Sequence, residues 1–119
     1  MIVPCLTYRD MQLAMAELHD VYGLDIVWQG ESGAEIRWHG GVAVAQLDQP
    51  ELLHGTHVGQ AWTYVQVDDP DEHYARALAN GANVTGEPHS TADGKQRGYS
   101  AHDREGNLWT FALNRFGSA

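Results

Sequence analysis

The chain has 119 residues, 43% of them apolar and 19% charged, enough to bury one hydrophobic core and too apolar to remain disordered. With 16 acidic against 7 basic side chains, the formal charge of −9 opposes nucleic-acid binding, which needs clustered Lys and Arg to neutralise phosphates. The single cysteine, Cys5, leaves no internal disulfide; the N-terminus has no basic leader, and no apolar run nears the roughly 18 residues of a membrane span. The expected protein is cytoplasmic and free of the membrane.

Ile2 to Tyr8 reads as a short buried strand, with Cys5 as a quiet buried thiol. Asp10 caps a helix over Met11 to Tyr22, in which Met11, Met15, Leu18 and Tyr22 share one face and Gly23 is the stop. Leu24 to Trp28 resumes extended chain. Ala34 to His39 and Val42 to Leu47 form a hairpin around Gly40 and Gly41, where paired glycines supply positive φ. The stretch from Asp48 to Gly59 has little periodicity and connects the two halves.

Gln60 to Val67 is a strand rich in aromatic and β-branched residues. Asp69, Pro70 and Glu72 then open a second helix in a capping-box arrangement, with Tyr74, Ala77 and Leu78 facing inward before Gly81. Ala82 to Thr85 restarts a strand. Tyr99 to His102 and Leu108 to Leu113 pair across a turn from Asp103 to Asn107.

Val3 precedes the helix-capping Asp10 by the same interval that separates Trp62 from Asp69, and the two Asp positions lie 59 apart. This repeat predicts a single domain over 1–119 built from two related modules, 1–47 and 60–119, joined by a loop around a shared cavity. The segments Pro4 to Asp10, Tyr64 to Asp69, and the run Tyr99-Ser-Ala-His-Asp-Arg-Glu-Gly-Asn-Leu-Trp109 resemble the vicinal oxygen chelate superfamily. That superfamily includes glyoxalase I, extradiol dioxygenases, fosfomycin-modifying enzymes and bleomycin-resistance proteins; Arg104 stands where its turn commonly has proline. The resemblance implies an α+β fold of two βαβββ modules that form a curved mixed sheet around a cavity, completed in a homodimer.

In metal-dependent relatives, by the same resemblance, the ligand positions correspond to Val3, Gln46, Trp62 and Thr110. An apolar side chain, an amide, an indole and a hydroxyl do not make a divalent-ion site of His and carboxylate ligands. No metal, cofactor or catalytic residue is therefore expected. His54 and His57 share a loop without a third ligand. His102 and Asp103 form an adjacent pair that strand geometry turns apart.

Alternation along the strands carries the inward face from these positions through Cys5 and Val44, Tyr64 and Gln66, and Leu108 and Ala112. Trp109 then faces the opposite way, into the core. The expected ligand-binding set is Trp38, Gln46, Trp62, Tyr64, Gln66, Tyr99 and Thr110, with Tyr99 contributing if its face is inward. This set suits capture of a small aromatic or amphiphilic molecule, and the acidic charge favours a cationic one.

The bleomycin-resistance branch implies a dimer that sequesters an antibiotic or related natural product without chemistry, as resistance or self-resistance. Two other readings remain open from sequence. One is a metal-free isomerase or lyase using His102 or a tyrosine. The other is an interaction module whose cavity is filled by its own side chains.

Overall fold

The computed structural model describes residues 1–114; residues 115–119, the end of the second expected module, lie outside the described residues. The first sheet has the order β1-β4-β3-β2, from β1 (Cys5–Tyr8), β2 (Asp25–Gln29), β3 (Gly33–Trp38) and β4 (Gly41–Leu47), with α1 (Met11–Asp20) crossing after β1. The second has the order β5-β9-β8-β6, from β5 (Trp62–Gln66), β6 (Asn83–Val84), β8 (Gln96–His102) and β9 (Leu108–Asn114), with α2 (Pro70–Ala79) crossing after β5. Strands β1 and β4 pair in parallel, as do β5 and β9, so both halves repeat one plan. A further short strand, β7 (His89–Ser90), pairs with β8 and has no counterpart in the sequence reading.

Both helix starts form as their Asp residues dictate. Asp10 accepts from Leu13 N–H at 2.9 Å, and Asp69 accepts from Glu72 N–H at 3.1 Å with Pro70 following it. The reciprocal half of the capping box is absent, because the Glu72 carboxylate takes Arg76, one turn on, at 3.0 Å. On α2, Ala77 is buried and Tyr74 half-buried, but Leu78 is exposed and His73 turns inward instead. In the β3–β4 turn the positive φ falls on His39, at 52°, and on neither glycine. Histidine is one of the few residues with a side chain that enters this region with any frequency.

The helix-bearing faces of the two sheets share one core. Met15 and Leu18 of α1 with Leu6 and Ile36 supply the first half's share, while Val65, Trp109 and Phe111 supply the second sheet's share. Tyr22 stacks on Phe111 with ring centroids 5.1 Å apart, joining the halves. The β8–β9 turn docks on the other half through backbone groups. Glu105 accepts from the N–H of Arg9 and Asp10 at 2.6 and 3.0 Å, and Glu17 accepts from Arg104 N–H at 2.7 Å.

The two modules thus build the expected α+β fold as two mixed sheets that do not close on each other. Because the core lies between the helix-bearing faces, the opposite faces of the sheets are left open. Trp28 is 59% exposed on the first sheet and Trp62 71% exposed on the second. Cys5 is exposed on β1 rather than buried, since alternation gives the covered face to Leu6 and Tyr8.

Candidate functional site

On the second sheet's open face, β5 presents Trp62, Tyr64 and Gln66 beside Leu108, Thr110 and Ala112 of β9. Ser100 of β8 lies directly across from Thr110. The Trp62 indole N–H donates to Thr110 Oγ1 at 2.8 Å, and the hydroxyls of Thr110 and Ser100 are bonded at 2.7 Å. The indole is thus tethered by its nitrogen while most of its ring stays in solvent, giving a fixed flat surface next to the 40%-exposed Tyr64.

A second element lies at the seam between the halves. A cavity of about 210 Å³ runs along β5 and is walled by Pro4, Ile36, Val42, Ala43, Val65 and Trp109, with Trp38, Tyr64 and Gln66 at its rim. The Trp38 indole N–H crosses the seam to donate to the Gln66 carbonyl at 2.7 Å. Trp38 also meets the His73 ring edge-on at 6.2 Å.

The structure therefore gathers Trp38, Tyr64 and Gln66 around one cavity and places Trp62 and Thr110 on the adjoining open face. Gln46 does not join them: it lies on the first sheet's open face, paired with Thr7 and Gly33. Tyr99 is a correction. It pairs with Phe111 in the β8–β9 register and is 1% exposed on the helix-bearing side. Ser100 occupies the inward position instead, and counting outward from the Asp103–Asn107 turn finds it.

His73 is a half-buried polar residue that sequence reasoning missed. Its Nε2–H donates to the Tyr22 carbonyl at 2.9 Å, so Nδ1 is left to accept from the Tyr99 hydroxyl at 2.6 Å. Burial holds its pKa below the ordinary histidine value, with the Arg76 charge adding to the effect. Burial likewise pushes the hydroxyls of Tyr8, Tyr22 and Tyr99 upward, and for Tyr8 the adjacent Asp103 reinforces it. These tyrosines hold their protons at neutral pH.

His102 and Asp103 do not act as a pair. His102 is exposed, whereas Asp103 is buried with its carboxylate engaged by Tyr8, Asn107, Trp109 and the turn backbone. In the connecting loop, His57 Nε2 lies 3.2 Å from the Leu53 carbonyl and His54 sits at φ 58°. Among the described residues no three His, Cys, Asp or Glu side chains group as ligands. Trp62 and Thr110, two of the four positions that the resemblance matches to metal ligands, bond each other.

Two strand-helix modules, each with an open sheet face, define a glyoxalase-like scaffold. The chain belongs to the Glyoxalase/Bleomycin resistance protein/Dioxygenase superfamily, whose family model matches residues 2–111. It is similar to TioX from Micromonospora sp. ML1, with 28% identity over 95% of this chain and 97% of that one, at a TM-score of 0.82. It also shares its fold with the bleomycin-binding protein of bleomycin-producing Streptomyces verticillus, solved with copper(II)-bleomycin: 16% identity, 95% and 94% coverage, TM-score 0.73. A glyoxalase/bleomycin resistance protein/dioxygenase from Nocardioides matches at 16% identity, 99% and 85% coverage, and TM-score 0.73. No curated protein sequence gives a significant match. No helix among the described residues is long and apolar enough to cross a membrane.

Proposed function

We propose that this protein is a metal-independent small-molecule binder that sequesters an aromatic antibiotic or related natural product, serving resistance or self-resistance. The observation that carries this reading is the bond between Trp62 and Thr110. It puts an indole and a hydroxyl, already satisfied by each other, where metal chemistry in the superfamily needs ionic ligands. Trp38, Trp62 and Tyr64 then supply aromatic area, while Gln66 and Thr110 supply polar groups that orient a guest.

A second copy of the chain closes the open faces. Gln46 enters the site only in such an assembly, because within one chain it stands on the other sheet. The net charge of −9 draws a cationic ligand by long-range attraction. The superfamily and the similarity to TioX and to the bleomycin-binding protein support the same reading.

The test is titration with a panel of aromatic antibiotics and metabolites, following tryptophan fluorescence, melting temperature and product formation together. Saturable quenching with a raised Tm and no product is expected. Unchanged fluorescence and Tm across the panel would remove the reading, and product formation would replace it with an enzyme.

A further inference from the structure

Strand β5 is the edge of its sheet, with β9 as its ladder partner. In a parallel ladder, alternate residues turn their backbone groups toward the neighbour and the rest turn theirs away. Leu108 N–H donates to Ala61 O at 2.9 Å and Val67 N–H to Ala112 O at 3.0 Å, so the odd-numbered residues of this segment address β9. The N–H and C=O of Trp62, Tyr64 and Gln66 consequently point away from the sheet. Gln66 confirms the direction, since its carbonyl takes the Trp38 indole from across the seam.

One step back along the same edge, Tyr64 lines the cavity and presents its N–H and C=O side by side. No other part of the described chain hydrogen-bonds to either group. A donor and acceptor so placed on an open strand edge match the N–H and C=O that flank one α-carbon of an extended ligand, contributed by two successive amides, as in strand addition. The neighbouring cavity, about 210 Å³, is larger than the ~150 Å³ void that admits benzene and smaller than the ~300 Å³ at which drug-sized pockets begin. It has room for a ring system and not for a whole natural product.

We propose that the seam recognises an amide-bearing aromatic ligand. A one- or two-ring group enters the cavity between Val42, Val65 and Trp109, and the next residue of the ligand pairs the N–H and C=O that flank its α-carbon, from two successive amides, with the C=O and N–H of Tyr64 as an added strand would. The proposal rests on the capture reading above and names the class of ligand for it. Ring and amide must be adjacent in the ligand, because cavity and edge are adjacent in the protein.

The experiment titrates the isotope-labelled full chain with N-(2-naphthoyl)glycine methylamide and with its analogue methylated at both amide nitrogens. The first compound is expected to shift the Tyr64 and Gln66 amide resonances and to bind about tenfold more tightly, the effect of one well-made hydrogen bond. A Val42→Trp variant with an otherwise unchanged spectrum is expected to lose that binding by filling the cavity. Equal affinity for the two compounds overturns the amide assignment and leaves aromatic capture standing. So does failure of both compounds while an aromatic antibiotic still quenches the tryptophans; silence of every aromatic compound removes the capture reading as well. Hydrogen-exchange protection of the Tyr64 amide that grows with protein concentration, without ligand, would overturn the proposal by giving the edge to a second copy.

Discussion

Tyr8 and Asp103, 95 residues apart in the chain, meet in the buried core with the phenolic hydroxyl 2.7 Å from the carboxylate. The same carboxylate accepts from Trp109 Nε1 at 3.0 Å, Asn107 Nδ2 at 3.1 Å, and the N–H groups of Glu105 and Asn107 at 3.0 Å each. One side chain thus closes the β8–β9 turn, fixes the core indole and ties the two halves together. Asp103→Ala strands buried donors that cost about 1–3 kcal/mol apiece. Urea denaturation is expected to show a loss of about 3 kcal/mol or more, and Tyr8→Phe a loss of about 1.5–3 kcal/mol for one bond to a charged acceptor. A loss below about 1 kcal/mol for Asp103→Ala would contradict this account.

Trp38 is the corresponding tie at the opposite seam. Trp38→Phe keeps an aromatic ring over the cavity but removes the donor to Gln66 O. The expected cost is about 1 kcal/mol of stability, together with weaker aromatic-ligand binding measured by calorimetry. Unchanged affinity would take Trp38 out of the binding set.

Much of this arrangement was legible locally. Asp10 and Asp69 mark both helix starts, and alternation outward from Trp62 reaches Tyr64, Gln66 and, across the ladder, Thr110. What escaped was nonlocal. Tyr99 was one residue out of phase, because its face depends on pairing with Phe111 rather than on its own segment. Gln46 and Cys5 fall outside the site on the second sheet, because strand alternation says which residues share a face, not which faces of two sheets pack together. His73 gave no apolar signal on α2, and its inward turn follows from a carbonyl, Tyr22 O, contributed by the other half.

Trp62 and Thr110 are expected to behave as a coupled pair in binding. Trp62 is 71% exposed, so Trp62→Phe changes stability by about 0.5 kcal/mol or less. Thr110→Val also frees the Ser100 hydroxyl and costs about 1 kcal/mol. Each change should weaken an aromatic ligand about tenfold, and the double variant should lose less than the sum of the two, since either alone breaks the shared bond. Strict additivity in calorimetric affinities would show that the two residues contribute separately.

The stability of the fold should fall on acidification through His73. Its folded-state pKa is depressed chiefly by burial, which outweighs the opposing effect of the Tyr22 carbonyl, and the Arg76 charge adds a lesser push in the same direction as burial. The unfolded chain, with a histidine near 6.5, therefore takes up the proton first. The contribution is present above about pH 6.5 and is lost as pH falls through the folded value. Structurally, a proton on Nδ1 replaces the lone pair that accepts from the Tyr99 hydroxyl, while the Nε2–H bond to Tyr22 can persist. Glu17 acts with the opposite sign. Burial raises its pKa, so its contribution is lost as pH rises, and it cancels between two proteins that both retain it. Denaturation of the wild type and of His73→Asn across pH 8 to 5 should give a stability difference that is constant at the alkaline end and moves in favour of the variant below about pH 6.5. A difference that stays constant down to pH 5 would mean that His73 does not titrate in the way its burial and its two hydrogen bonds require.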